Sequence, residues 1–305
     1  MRAADWARLV VLAAIWGASF AFIRVAAPAF GPVVLVDARV LVAAAALTFW
    51  GRYGWAKIRR TVRHGRLFAL LGLFNAAVPF TAIAFAELWA SAAWAAIVIA
   101  TTPLFAAGIS RLWRGERLGW VRGVGLALGV VGVGVLVDGM SLALPRAWGP
   151  SVALLLLGAL CYAASGVFTA HYARDVAPLD LAWGQQWAAG TWLLPAAVVW
   201  RPSAWPSWDA VGALGILAVV CTAAAYILYF QLIRSVGATR ALSVNFLVPL
   251  FGVLWGVWLL GETLSLRTLV GLALILASLG LVLARPSATA VSPQDVDRSV
   301  SPSSS

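Results

Sequence analysis

The sequence predicts an all-α polytopic membrane protein: ten transmembrane helices in two inverted five-helix repeats, with both termini cytoplasmic. Three observations carry this expectation. Of 305 residues, 63% are hydrophobic and only 11% charged, with a mean hydropathy of +0.93; a soluble chain runs near 45–50% and about 25%. The apolar residues fall into blocks of roughly 20, the length that crosses about 30 Å of hydrocarbon as a helix. Shifted by 146 residues, the chain also matches itself. Together these exclude a soluble enzyme, a nucleic-acid binder, a collagen and a disulfide scaffold.

The blocks run in order as follows. Block 6–27 opens behind Arg2 and Arg8, and Gly31-Pro32 separates it from block 33–50. The arginines ahead of the first block also fit a signal peptide. Asp5 in that leader, and a partner block later in the chain, argue for a permanent helix. A basic loop containing Lys57 and Arg59 leads to block 67–88, and a short turn leads to 92–113. Gly115-Glu116-Arg117 precedes 119–137, and Gly149-Pro150 opens 150–171. Pro178 precedes 181–200, Pro202 and Pro206 precede 210–232, Gly237 precedes 240–260, and Gly261-Glu262 precedes 268–284. A β-barrel would show alternating segments of about ten residues instead.

Lys and Arg number 22 against 11 Asp and Glu, a net charge of +11. The cations lie in short loops, so they report orientation and not nucleic-acid binding. With a cytoplasmic N-terminus, 17 of them fall on the inner side and 5 on the outer. Both termini are therefore expected inside. Trp6, Trp50, Trp113, Trp120, Trp148, Trp200 and Trp208 sit near block edges, where interfacial tryptophan belongs. Cys161 and Cys221 lie inside apolar blocks without metal spacing and read as small buried hydrophobes. Residues 286–305, rich in Ser and Pro, are expected to form a disordered cytoplasmic tail.

The repeat is specific. Pro103-Leu104-Phe105 lands on Pro249-Leu250-Phe251, and Gly115-Glu116 on Gly261-Glu262. Between 103–137 and 249–283 there are 12 identities in 35 ungapped positions. The same shift carries Trp16 to Tyr162, Ser19 to Ser165, Phe22 to Phe168 and Pro32 to Pro178. The units are 1–140 and 147–285. Five is odd, so the second unit enters the membrane from the opposite side. Such inverted repeats belong to secondary transporters, whose site lies between the units near the midplane.

These residues resemble the drug/metabolite transporter superfamily, EamA-type. The resemblance is carried by IWGASF in the first block, ATTPLF…RGERLGW…GLALGVVGVGVL across the fourth and fifth, and VPLF…LGETLSLRTLVGLALILASLGLVL across the ninth and tenth. Arg39 and the Asn75-to-Phe80 stretch also resemble the family pattern. The likeness covers nearly the whole chain except the tail. It implies a bacterial inner-membrane exporter of small metabolites, often amino acids or related solutes, working without ATP hydrolysis. Arg39 maps to Gln185 in the second unit, so the site is expected to be asymmetric.

Polar groups inside hydrocarbon are expensive and need a reason. Trp16 and Ser19 in the first block, with their repeat mates Tyr162 and Ser165, can line a substrate cavity; the competing reading is interhelical packing. Asn75 shares a face with Pro79 and suits a zwitterion or an amide. Thr222 and Tyr226 take a matching face of the eighth block, and Asn245 precedes Pro249. Arg39 is the sharpest charge: it binds a substrate carboxylate, pairs with another helix, or snorkels outward. Asp37 points about 200° away from it around a helix and is a poor partner. Glu87 is expected at the interface. Pro103 and Pro249 are expected to kink their helices as paired hinges, with Thr101 and Thr102 capping freed carbonyls or lining the path. Gly125/Gly129 and Gly252/Gly256 match small-xxx-small packing.

The leading reading is a secondary transporter of a small neutral or zwitterionic solute, with the bilayer and that solute as its partners, no nucleic acid, no cofactor and no metal. A monomer or weak homodimer is expected. No Walker A motif is present. His64, His171, Asp37 and Glu87 are not convincingly central, so uniport or exchange stands beside proton antiport. A flippase for a lipid-linked carrier needs a lipid-open cavity and basic groups, for which Arg39 alone is thin support. A membrane enzyme lacks a cluster of acids and histidines, and a non-transporting scaffold is the remaining class.

Overall fold

The computed structural model describes residues 2–114, 120–140, 148–173, 175–202, 204–236 and 244–283, and among these the regular structure is helical throughout. The helices are α1 (Ala3–Phe30), α2 (Pro32–Trp50), α3 (Trp55–Ala86), α4 in two pieces (Ala92–Ile99 and Thr102–Arg114), α5 (Trp120–Met140), α6 (Trp148–Tyr172), α7 (Pro178–Val199), α8 (residues 208–236), α9 (Val244–Leu260) and α10 (Leu266–Leu283). Among the described residues five stretches are long and apolar enough to cross a bilayer: Ala3–Phe30, Pro32–Trp50, Trp55–Ala86, Gly149–Thr169 and Trp208–Tyr229. The expected tail and the Gly115-Glu116 half of the repeated motif lie outside the described residues.

Two helix boundaries follow directly from residue chemistry. α1 ends at Gly31, whose φ of +74° suits glycine, and Pro32 starts α2 where a missing N–H does no harm. α3 begins earlier than the sequence suggests. The basic stretch expected as a loop is helical from Trp55, because Ile58 packs against the buried cluster that holds Leu47, Tyr53 and Trp183 while Arg59 and Arg60 stay exposed. Tyr53 anchors this turn. Its ring stacks on Trp183 at 4.7 Å, the Lys57 ammonium lies 3.9 Å from its centroid, and its hydroxyl donates to Asp180. Burial, then the Asp180 hydrogen bond, push the Tyr53 phenol above its usual ionisation range.

α1 packs on α8 and α9, and α6 packs on α3 and α4. α2 and α7 lie between these groups, packed on each other, with α2 also on α8 and α7 also on α3. α5 and α10 form a pair: Ser278 Oγ donates to the Gly125 carbonyl at 2.6 Å, and a Cβ at Gly132 would stand 3.0 Å from Ile275. The two groups meet where Ala92–Ile99 of α4 lies against α9 and α1. Past Ala100 the second piece of α4 packs on α6 and α10 instead.

That seam is built from small residues. A Cβ at Gly17 would come within 2.6 Å of Phe251 Cβ, and one at Gly252 within 2.3 Å of Ala96 Cβ. Such close backbone approach is how apolar helices associate without a hydrophobic driving force. The seam is then locked electrostatically. Glu262 places Oε1 2.7 Å from the Ala92 amide and Oε2 3.0 Å from the Ala93 amide, capping the first piece of α4. Ser91 Oγ accepts from Trp94 N at 3.3 Å in the same cap.

The Gly252/Gly256 face is therefore a contact between the two halves. Gly252→Ala is expected to destabilise by about 1–3 kcal/mol through overpacking. Gly212→Ala, with nothing within 4 Å of the new methyl, is expected to be neutral or slightly stabilising. Thermal unfolding of both variants in the same detergent checks this.

Candidate functional site

The site grows from two widened turns. α3 runs as a π-helix over Leu73–Ala77, and α8 over Ile216–Ala224. The 146-residue shift carries 73–77 onto 219–223, so the turns occupy equivalent places. π-turns leave the regular hydrogen-bond ladder and recur at functional sites. In α8 the Thr222 hydroxyl donates to the Leu217 carbonyl five residues back, at 2.8 Å.

Arg39 of α2 points at this turn and is 4% exposed. Its Nε donates to Thr222 Oγ1 at 2.9 Å, and its guanidinium lies 4.1 Å from the centroid of Phe80. That is a cation–π contact in an apolar setting, where such contacts are strongest. Among the described residues no carboxylate pairs with Arg39; the ion pairs are Arg2–Asp5 and Arg8–Asp5 at the start of α1. Tyr162, Cys221, Tyr226 and Glu87 stand within electrostatic reach of the guanidinium, Glu87 beyond ion-pair distance.

Gln185 of α7, the repeat mate of Arg39, does the corresponding work in the other half. It accepts from Asn75 Nδ2 at 2.9 Å and hydrogen-bonds the Tyr226 side chain. Phe80 maps to Tyr226 under the shift, so Arg39–Phe80 and Gln185–Tyr226 are equivalent contacts with different chemistry. Around them runs an aromatic wall. Trp16 meets Tyr226 edge-on at 6.3 Å and Tyr229 at 5.3 Å, and Phe80 meets Tyr162 at 6.3 Å. The arrangement offers one guanidinium, one primary-amide pair and several ring faces in a largely apolar setting.

The residues expected from sequence divide in two. Trp16, Arg39, Asn75, Tyr162 and Tyr226 fall in this cluster. Ser19 is buried beside Cys221. Ser165 donates to the Cys161 carbonyl at 2.8 Å, and Thr101 and Thr102 donate to Val98 and Ile99, each at 2.7 Å. Those three hydroxyls satisfy helix carbonyls. The Thr pair sits at a break in α4, and Pro103 is the second residue of the new piece, where a missing N–H is tolerated. Pro249 is buried inside α9. The side chains of Pro103 and Asn245 lie outside the described residues. Glu87 is not interfacial in the sense expected: it is fully buried, because α1 and the turn after α9 close over the end of α3. Gln185, Phe80 and Tyr229 were not read as site residues, although applying the repeat to Arg39 and Tyr226 points to the first two.

Residues 6–137 and 149–284 each match the EamA-like transporter family. The chain belongs to this family. Its members are membrane transporters of the drug/metabolite transporter kind, not enzymes. The EamA chain is 31% identical to the uncharacterized inner membrane transporter YedA of Escherichia coli over 281 residues, covering 90% of this chain and 89% of that one. It is 24% identical to an uncharacterized transporter of Archaeoglobus fulgidus, over 91% of this chain and 98% of that one. It is 27% identical to a probable terminal-alkyne amino-acid exporter of Streptantibioticus cattleyicolor, over 63% of each chain. A solved crystal structure matches the fold at a TM-score of 0.63 and 19% identity, covering 92% of this chain and 98% of that one.

The Asn75–Gln185 bond ties α3 to α7 across the repeat boundary. A double-mutant cycle of Asn75→Ala and Gln185→Ala is expected to show a coupling of about 0.6–1.7 kcal/mol, the range for interhelical hydrogen bonds in a membrane. Unfolding midpoints of the four proteins measure it.

Proposed function

We propose that this EamA protein is a secondary transporter that exports small neutral or zwitterionic metabolites, amino acids or related compounds first, across the bacterial inner membrane. The observation that carries this reading is Arg39: a buried guanidinium whose Nε is held by a hydroxyl and whose face is held by a ring, with no carboxylate partner among the described residues. A substrate carboxylate supplies the missing counter-charge, and a guanidinium binds carboxylates in a forked geometry. Asn75, Gln185 and Tyr226 supply donors and acceptors for an amino group, and Trp16, Phe80 and Tyr162 supply apolar walls. The amino-acid exporter among the relatives supports the same class.

The helices read as ten spans in two inverted repeats with both termini cytoplasmic. On that orientation the Ala92–Glu262 seam faces outward and is shut, while toward the cytoplasmic side α4 leaves α9 for α6 and α10. Alternating access then exchanges which end is closed. The Pro103 and Pro249 positions lie where such bending is needed.

Counterflow in proteoliposomes tests the reading. Vesicles loaded with mixed unlabelled amino acids are expected to accumulate labelled tracer of one class. Arg39→Gln, which keeps a hydrogen-bonding head but removes the charge, is expected to lower that uptake about 10- to 100-fold, the value of a charge-assisted hydrogen bond. Unchanged uptake in folded Arg39→Gln would remove the carboxylate assignment. Uptake of a polyprenyl-phosphate probe without any amino-acid uptake would move the protein to lipid-carrier transport.

A further inference from the structure

Glu87 follows the last residue of α3 and is 0% exposed. Among the described residues neither carboxylate oxygen has a hydrogen-bond partner. The nearest cation does not pair with it: Arg24 of α1 donates to the Glu87 backbone carbonyl instead. The second acid of the seam, Glu262, is fully engaged, with one oxygen on each of the Ala92 and Ala93 amides. Among the described residues the charged groups that face Glu87 are Arg24 from α1, Glu262 from the turn after α9 and Arg39 from α2. Ala92–Ile99 of α4 and the first half of α6 contain no ionisable side chain. The closed seam thus holds one acid with two donors and one acid with none. An ionised carboxylate without a donor is not tolerated in a dry site, whereas its neutral acid is. Opening the seam would bring water to Glu87 and remove that bias.

We propose that Glu87 is a proton-binding site of the gate at this end of the molecule, holding a proton while the seam is closed and releasing it to water when the seam opens. The exchange is Glu87–COOH in the closed state against Glu87–COO⁻ and a proton in bulk water in the open state. The closed state therefore binds more protons. By linkage, low pH favours closure and rising pH favours opening, by up to about tenfold per pH unit for one proton. The inference rests on the alternating-access reading, but its test needs no identified solute.

The experiment is a pulsed electron paramagnetic resonance distance measurement in lipid nanodiscs. Spin labels are placed on cysteines substituted at the exposed positions Trp89 and Leu264, which flank the seam. The full chain is measured from pH 5 to pH 9, with and without the amino-acid mixture used for counterflow. The wild-type background is expected to shift from a short to a long distance as pH rises. Glu87→Gln, close in shape to the neutral acid, is expected to stay short across the range. Glu262→Gln, which loses half the α4 cap, is expected to lengthen the distance at every pH while keeping a pH response. A Glu87→Gln profile matching the wild-type background overturns the proposal, as does a wild-type distance that ignores pH. If the mixture moves the distance while pH does not, only the proton site fails. If neither moves it, the alternating-access reading fails as well.

Discussion

Burying a guanidinium inside a bundle of apolar helices constrains everything around it. Arg39 cannot reach water from the middle of α2, and among the described residues no carboxylate forms an ion pair with it, Glu87 acting on it only from longer range. Its positive charge is held by softer partners: the Phe80 face and the Thr222 hydroxyl. Each of those partners needs its own support. Thr222 accepts from Arg39 because a π-turn lets its proton go to Leu217, and Phe80 follows the matching π-turn in α3. Two irregular turns, from two halves of the chain, are what make one buried charge tolerable.

The second constraint is the seam. Gly17, Gly252 and Gly256 bring α1, α9 and α4 to backbone contact, and Glu262 ties the α4 amides to the turn after α9. This is a compact way to close one end of a two-part molecule. Small residues give a tight but shallow contact, and a single carboxylate gives it direction. The α5–α10 pair stands outside this arrangement and steadies both halves from the side.

Much of this was legible in the sequence, for identifiable reasons. The block lengths follow from bilayer thickness, and they recovered the helices to within a few residues except at α3, where a basic loop hid an amphipathic turn anchored by Ile58. The glycine pairs announced close helix contacts because glycines four apart leave a shallow face on an apolar helix, which suits packing within the chain first and dimerisation second. Arg39, Asn75, Trp16 and the two tyrosines were visible as polar or amphipathic groups in hydrocarbon. What sequence could not supply was pairing. Ser165, Thr101 and Thr102 look identical to ligand-facing hydroxyls until their helix carbonyls are seen beneath them. Glu87 looks interfacial by position, and only the folding of α1 and the turn after α9 over the end of α3 shows it dry. The π-turns have no signature in composition at all, since Leu73–Ala77 reads as ordinary helix.

Those π-turns carry a genetic consequence. A π-turn accommodates one more residue per turn than the α-helix around it. The two segments are thus places where the chain has absorbed an extra residue without breaking. Removing one residue from 73–77 would let α3 return to regular winding, but every side chain beyond would swing by about 100° around the axis. Phe80 would leave the Arg39 face, and Asn75 would lose its register with Gln185. Insertions and deletions in related chains should therefore avoid these turns as strictly as substitutions avoid the residues they position, although nothing about the turns' own side chains would reveal why.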